Sequence, residues 1–241
     1  MSQGDPFDGI LLVDKPAGPT SHDIVHQIRR HFNLKKVGHG GTLDPAATGL
    51  LVILLGRGTR VSNRFMSSDK TYEGTLRLGI TTDSQDADGQ VVREADPSGI
   101  TREQLEAAMA RFKGDMFQTP PMVSAVKIEG VALYKLARRG EEVERKPRFM
   151  HIYSFRLLSF NPPFASFVLR CSKGTYVRTI CHDIGEALGV GAHLCQLRRT
   201  ESAGFDLARA TPYEQLLSMN QMDLLDIVLP LHTLDVRDAA G

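Results

Sequence analysis

The chain has 241 residues, of which 41% are hydrophobic, and this is enough apolar material to bury one large core. It contains no run of about 18 apolar residues, and its first residues lack the basic-then-apolar order of a secretion signal. These features argue against a helical membrane protein. We therefore expect a soluble, cytoplasmic protein with no membrane partner.

Charge is unevenly distributed along the chain. Residues 1–200 carry 27 Lys and Arg against 21 Asp and Glu, whereas residues 201–241 carry 2 against 7. The net charge of +1 therefore hides a mildly basic body behind an acidic tail. Such a body is compatible with a polyanionic partner such as a nucleic acid, although surface charge more often serves solubility.

The first elements in chain order are a strand and a helix. Gly9–Val13 has the apolar composition of a short buried strand, and it runs into a turn predicted at Asp14–Pro16. A helix capped near Thr20 or Ser21 should follow. Its apolar positions share one face: Ile24, Val25, Ile28 and Phe32.

A rigid loop is predicted next. The glycine-dense stretch Val37–Thr42 favours a loop, and Leu50–Leu55 is apolar enough to be a central strand. Asp44 lies between them, on a constrained segment that enters the core.

The remaining elements are predicted from alternation, capping and helical spacing. The predicted strands are Lys70–Leu78 and Ala165–Cys171, a hairpin turn is predicted at Asp88-Gly89, and the predicted helices are Thr101–Phe112 with a capping box to Gln104, Leu133–Arg139, and Tyr176–Leu188. Strands outnumber helices, and the helices are inserted between hairpins. We therefore expect an α+β fold around a largely antiparallel sheet.

Short motifs that would indicate a cofactor are incomplete. The glycines never complete GxGxxG or GxxxxGK[ST], so nothing supports a nucleotide cofactor. Three cysteines without a CxxC pair and eight histidines without HExxH support neither a disulfide framework nor a metal site. Residues 124–127 (SAVK) fit the SxxK pattern of acyl-enzymes, but the companion motifs are absent. The sequence predicts no cofactor and no metal.

Asp44 has unusual surroundings for a carboxylate. Gly40 and Gly41 precede it and Pro45 follows it, so its backbone is restricted where glycines would let a substrate come close. An Asp-Pro pair in a loop is more often a simple turn, and spacing alone leaves both interpretations open.

A wider pattern favours catalysis. The run GHGGTLDPAATGLL, residues 38–51, resembles the catalytic motif of the bacterial tRNA pseudouridine-55 synthases, the TruB family. Further segments resemble that family in the same order: DKPAGPTS from Asp14, KTY from Lys70, LG from Leu78, TDSQD from Thr82, QTPP from Gln118, SAVK from Ser124, and CSKGTYVRTICHDIGEALGVGAHLCQLRR from Cys171 to Arg199. Ordered blocks across residues 9–205 make chance agreement negligible.

The resemblance implies a pseudouridine synthase fold and a cofactor-free reaction. Asp44 would attack the target nucleoside so that the glycosidic bond breaks and the uracil rejoins the ribose through C5. The uridine must be flipped out of the stacked loop, and Tyr72 would pack on the flipped base. In isolation, Tyr72 would be an ordinary strand aromatic.

The same resemblance implies four further site residues. Arg178 would pair with the catalytic aspartate and keep it ionised in an apolar pocket. Tyr176 and Leu197 would line the uracil pocket, and His39 would insert into the T loop of tRNA. Taken singly, each fits a structural role equally well. Lys15 and Pro16 are expected to support the active-site loop and not to touch the base.

Phosphate contacts would supply most of the affinity for RNA. The candidates form one group of basic residues: Arg29, Arg30, Lys35, Lys36, Arg138, Arg139, Arg145, Lys146, Arg148, Arg198 and Arg199. The expected partner is the T arm of tRNA, with no obligatory protein partner and a monomeric enzyme.

The sequence departs from the family pattern at two positions and at its end. Val52 stands in place of a usual proline, and Val123 in place of a usual tyrosine. We expect a catalytic domain over residues 1–205 and a short appendage over 206–241 that lacks the usual C-terminal RNA-binding domain. Two alternatives remain: an RNA-binding or tRNA-folding chaperone, and a pseudouridine synthase for another RNA stem-loop.

Overall fold

The computed structural model describes residues 5–124, 127–128, 130–133, 136, 139–141 and 143–231. The chain divides into two compact units. The first unit combines the residues up to Tyr72 with those from Leu197 onward, and the second is Glu73–Gln196. The helix predicted at Leu133–Arg139 lies largely outside the described residues.

Strands dominate both units. The described strands are β1 (Gly9–Lys15), β2 (Val37–His39), β3 (Thr48–Leu55), β4 (Lys70–Leu78), β5 (Ile80–Thr82), β6 (Val91–Glu94), β7 (Gly114–Gln118), β8 (Lys127–Ile128), β9 (Val131–Ala132), β10 (Arg148–Asn161), β11 (Phe164–Cys171), β12 (Ala192–Ser202), β13 (Phe205–Asp206), β14 (Thr211–Pro212) and β15 (Leu229–Pro230). The described α-helices are α1 (Ser21–His31), α2 (Ser62–Met66), α3 (Arg102–Ala110), α4 (Val177–Ala187), α5 (Tyr213–Ser218) and α6 (Gln221–Ile227), with 3-10 turns at Gly56–Val61 and Leu207–Arg209. None of these helices is long and apolar enough to cross a membrane.

The first unit is arranged around β1 and β3. These apolar strands pair antiparallel along their whole length, from Gly9 opposite Leu55 to Lys15 opposite Gly49. The end of β12 runs parallel to the start of β3, and β14 runs parallel to β1. One face packs into a core cluster of buried side chains: Ile10, Leu12, Leu50, Val52, Leu54 and Phe65.

Two local predictions in this unit are wrong. Strand β1 continues through Lys15, where a turn was expected, because Asp14 and Lys15 extend the β3 pairing. The stretch expected to be all loop begins with the short strand β2, which pairs with the end of β3. Helix α1 agrees with its prediction, since Thr20 caps it and forms a capping box with Asp23.

The second unit is arranged around β10. This strand pairs antiparallel with β7 on one side and with β11 on the other, and β11 in turn neighbours β4. Its buried side chains include Met150, Ile152 and Phe155, and helix α3 contacts both β10 and α4. Helix α3 is capped by Thr101 and Gln104 as predicted, but ends at Ala110. The strand pairings in the two units are mainly antiparallel, and the α+β fold class is confirmed.

Candidate active site

Lys15 holds the loop that carries Asp44. Its side chain is fully buried, and Nζ donates to the carbonyl oxygens of Pro16 at 2.8 Å, Pro45 at 3.0 Å and Ala47 at 2.7 Å. Burial lowers the pKa of Lys15 from 10.5 to about 8, and the nearby Asp44 carboxylate opposes part of that shift. A buried cation therefore satisfies the carbonyls just after Asp44 and supports its negative charge.

This pKa gives a pH prediction. Between about pH 8 and 10.5, the unfolded chain keeps a proton on Lys15 that the folded chain has lost. Stability rises with pH wherever the unfolded state binds more protons. The unfolding free energy of the wild type, relative to Lys15→Met, is therefore expected to increase across this window. Denaturant titrations at several pH values measure the difference, and a flat or falling difference would contradict the prediction.

Arg199 holds the same loop from its other end. Its side chain is 1% exposed, and it donates to Leu50 O at 2.7 Å, Thr42 O at 3.2 Å and Gly41 O at 3.2 Å. The expectation that Arg199 contacts RNA phosphate is wrong, because its guanidinium is buried against these carbonyls. Its neighbour Arg198 is half-exposed and pairs with Asp14 at 2.6 Å.

Direct contacts also fix the residues on either side of Asp44. The buried Ser21 Oγ accepts from the N–H of Leu43 at 2.9 Å and contacts its carbonyl oxygen at 3.1 Å. The N–H of Gly18 donates to Pro45 O at 2.9 Å. Asp44 itself is exposed. The fold thus presents an accessible carboxylate on a backbone that is held on both sides.

The glycines around this loop serve packing more than substrate approach. A Cβ at Gly49 would lie 2.3 Å from the carbonyl oxygen of Arg199, and the φ of Gly49 is +97°. A Cβ at Gly40 would lie 2.5 Å from Cβ of Phe65. These positions need glycine because backbone and core side chains approach too closely for any other residue.

Three other predicted site residues belong to the unit that contains Asp44. His39 ends β2, and its Nδ1 accepts from the N–H of Gly41 at 3.3 Å. Burial, together with the nearby Arg199, lowers the pKa of His39. Tyr72 is 8% exposed on β4, and Leu197 is half-buried on β12, where its carbonyl meets Thr48 Oγ1 at 3.5 Å. His39 and Leu197 therefore contact the two ends of the Asp44 loop.

The other two predicted residues, Tyr176 and Arg178, open helix α4 in the second unit. Arg178 is 5% exposed, so its guanidinium is buried although the residue lies in the first turn of the helix. Its Nη1 donates to the Asp86 carboxylate at 3.1 Å, and its Nη2 donates to the carbonyl of Val123. The Tyr176 ring lies 5.8 Å from the Arg178 guanidinium, measured from the ring centroid.

Sequence reasoning missed some of the residues that build these sites. Asp86 appeared only as part of a matching segment, and Gln118 was not considered as a site residue. Neither has a local signal, since each acts on a residue more than 50 positions away. Among the described residues, no group of three or more His, Cys, Asp or Glu could hold a metal. Cys171, Cys181 and Cys195 are free thiols.

Solved structures define the class of protein. A chain in the crystal structure of a Cbf5-Nop10-Gar1 complex matches with a TM-score of 0.70 and 32% identity, covering 88% of this chain and 54% of that chain. A chain in an archaeal box H/ACA sRNP Nop10-Cbf5 complex matches with a TM-score of 0.67 and 26% identity, covering 93% and 60%. The chain spans a little over half the length of these proteins. Its fold is the pseudouridine synthase fold that the motifs implied.

Sequence relatives define the family. A family model described as TruB family pseudouridylate synthase (N terminal domain) matches residues 29–177, and one described as tRNA pseudouridylate synthase B C-terminal domain matches residues 178–234. Proteins named tRNA pseudouridine synthase B from Opitutus terrae and Syntrophotalea carbinolica are 52% and 51% identical. Those alignments cover 94% and 93% of this chain, and 94% and 74% of the relatives. The chain belongs to the TruB family of pseudouridylate synthases.

Proposed function

We propose that this enzyme converts a uridine in the T loop of tRNA, at position 55, to pseudouridine, with Asp44 as the nucleophile. The observation that carries the proposal is an exposed carboxylate on a loop held by Lys15, Arg199 and Ser21. A nucleophile needs access to its substrate and a fixed approach, and this loop supplies both. Membership of the TruB family and relatives named tRNA pseudouridine synthase B support tRNA as the substrate.

The proposed reaction conserves every atom of the nucleoside. Asp44 adds either to C6 of the base or to C1′ of the ribose, and the bond between N1 and C1′ breaks. The uracil turns, C5 bonds to C1′, the hydrogen on C5 leaves as a proton, and N1 gains a proton. If Asp44 is bonded to C1′, C5 displaces it as the new bond forms; if Asp44 is bonded to C6, it leaves after that bond has formed. The electron count does not change, so the isomerisation needs no oxidant or reductant.

The remaining site residues would act on the flipped base. We place Tyr72 against the uracil face, with Tyr176 and Leu197 lining the pocket and Arg178 keeping the carboxylate ionised. His39 would enter the T loop and hold it open. Its lowered pKa favours a neutral imidazole at pH 7, which fits between bases without the cost of burying a charge.

Tritium release tests this proposal. T-arm RNA labelled with tritium at C5 of the target uridine should release tritium to water, and an RNA labelled only at another uridine should not. No release from the first RNA would overturn the enzyme proposal, and RNA binding without release would favour a chaperone. Equal release from an unrelated labelled stem-loop would overturn T-loop selectivity.

The proposal also covers the oligomeric state, protein partners, location and domain organisation of the enzyme. We infer a monomer that needs no protein partner and acts in the cytoplasm, with a catalytic domain over residues 1–205 and residues 206–241 as an appendage. Strands β14 and β15 attach residues 206–241 to the catalytic domain, since both pair with β1. Light scattering tests the monomeric state, and a larger mass would contradict it. Turnover by the purified chain tests whether a protein partner is needed, and turnover that requires added cell extract would contradict our inference.

Asp86 gives a prediction about the Arg178 position. Asp86→Asn keeps the shape of the side chain but removes the charge that meets Nη1 of Arg178, whose side chain is 6% exposed. A small displacement of Arg178 is expected to lower kcat by about 10- to 100-fold. Asp88→Asn is the control, because Asp88 is exposed in the same turn. Single-turnover kinetics compare the two, and equal values for both variants would contradict the prediction.

A further inference from the structure

Gln118 stands out among the buried polar side chains of the second unit. It is the last residue of β7 and is 6% exposed, yet both ends of its amide bond to the backbone of one residue, Tyr176. Gln118 Nε2 donates to the Tyr176 carbonyl oxygen at 3.1 Å, and the Tyr176 N–H donates to Gln118 Oε1 at 2.8 Å. The side-chain amide thus pairs with Tyr176 as a neighbouring strand would.

Tyr176 needs such a partner because of its place in the chain. It precedes α4 with an extended backbone, φ −95° and ψ 102°, and its own side chain makes no capping hydrogen bond. Its carbonyl also accepts the first helical bond, from Ile180 at 3.2 Å. Gln118 therefore helps to fix the residue at which the chain enters helix α4.

The segment after Gln118 contacts Arg178, the second predicted site residue in this unit. The carbonyl of Val123 accepts from Arg178, two positions beyond Tyr176, and Asp86 accepts from the other side. Strand β7 and the residues after it thus contact the backbone of Tyr176 and the guanidinium of Arg178. Gln118 is itself held by pairing between β7 and Arg148 at the start of β10.

We propose that Gln118 is a positioning residue for uridine binding, acting through the backbone of Tyr176. This inference rests on the proposed function, in which Tyr176 lines the uracil pocket. A site residue is effective only when its supporting contacts hold it in the productive geometry. Losing the amide should therefore loosen Tyr176 and weaken the bound state of the flipped base.

Two substitutions test the amide. Gln118→Met has nearly the same length and no hydrogen-bonding atoms, and kcat/KM on T-arm RNA should fall about tenfold. Gln118→Glu keeps the shape but sets a carboxylate oxygen against the Tyr176 carbonyl. The introduced carboxyl group, once protonated, would donate as the amide does, so the activity of this variant relative to wild type should recover as the pH falls from about 8 to about 5.5.

A double-mutant cycle separates positioning from stability. In a Tyr176→Ala background, Gln118→Met should change kcat/KM by less than about twofold, because the residue through which it acts has lost its side chain. Gln104→Met is the matched control, since it removes an amide that accepts from the Thr101 N–H at 2.8 Å in the same unit. That control should lower the melting temperature and leave kcat/KM unchanged.

The outcomes are distinct. A full tenfold loss in the Tyr176→Ala background, or a Gln118→Glu variant without recovery at low pH, would overturn the role of Gln118. The same double-mutant cycle can be measured as affinity for T-arm RNA by fluorescence anisotropy, which does not depend on turnover. A wild-type chain that binds RNA and releases no tritium would overturn the proposed function, while the anisotropy cycle would still decide the role of Gln118.

Discussion

Asp44→Asn is expected to reduce tritium release by at least about 10⁴-fold, the scale on which loss of a nucleophile is felt. The reason is chemical, because an amide oxygen is a poor nucleophile and would form no ester with the nucleoside. The described contacts that hold this loop go to backbone atoms, from Lys15, Arg199 and Ser21. Asn keeps the shape of Asp and these backbone contacts remain, so the variant should still fold and bind T-arm RNA, although it also loses the charge that favours the protonated form of Lys15.

Asp226→Asn is the control for this experiment. It makes the same change in charge at an exposed position of the first unit. Tritium release, T-arm affinity and melting temperature should all match the wild type in this control. Release by Asp44→Asn within about tenfold of wild type would remove Asp44 as the nucleophile, because general acid–base assistance alone is worth more than that.

Arg199→Met is expected to have the second largest effect. It leaves the carbonyl oxygens of Gly41, Thr42 and Leu50 without the buried guanidinium that satisfies them. An unsatisfied buried group costs about 1–3 kcal/mol, and the Leu50 carbonyl bears that cost in full, whereas the part-buried carbonyls of Gly41 and Thr42 can bond to water. The unfolding free energy should therefore fall by about 2–4 kcal/mol. Activity should fall as well, since the loop that carries Asp44 loses its support on one side.

Arg198 supplies the matched control one residue away. Its pair with Asp14 is half-exposed, and Arg198→Met should cost less than about 1 kcal/mol of stability. If Arg198 contacts phosphate, as proposed for the group of surface cations, this variant should raise KM and weaken the salt dependence of binding. Urea denaturation and steady-state kinetics compare the Arg199→Met and Arg198→Met variants. Equal destabilisation by both variants would contradict the buried role of Arg199.

Local sequence patterns predicted the strands in which buried and exposed residues alternate regularly. The alternation in Lys70–Leu78 and Phe164–Cys171 places every second residue in the core, as predicted. Strand β10 was missed because two irregularities, between Ile152 and Ser154 and between Leu157 and Ser159, break its alternation. Strand β12 was missed because it buries polar side chains, His193 and Arg199, on positions that a pattern search reads as surface.

In the candidate site, too, local sequence predicted some features and could not predict the contacts between distant segments. Asp44 was found because it lies in a long ordered match, and its loop was expected to be rigid because of its neighbours in sequence. The groups that hold the loop came from distant segments, and Arg199 looked like a phosphate ligand until its burial was known. Gln118 lies in the matching QTPP segment, but its contact with Tyr176 could not be predicted, since the two residues are 58 positions apart and no spacing rule joins them.

The pairing of β1 has a consequence for the order of events during synthesis. β1 carries Lys15, but its partners β14 and β15 lie at Thr211–Pro212 and Leu229–Pro230. A ribosome that has released residue 196 has supplied every residue of the second unit, while the first still lacks Arg199 and these two strands. Domains generally fold as they emerge. The nascent enzyme would therefore gain a locked nucleophile only after residue 230 has been synthesised, which delays catalysis until both of these strands can pair with β1.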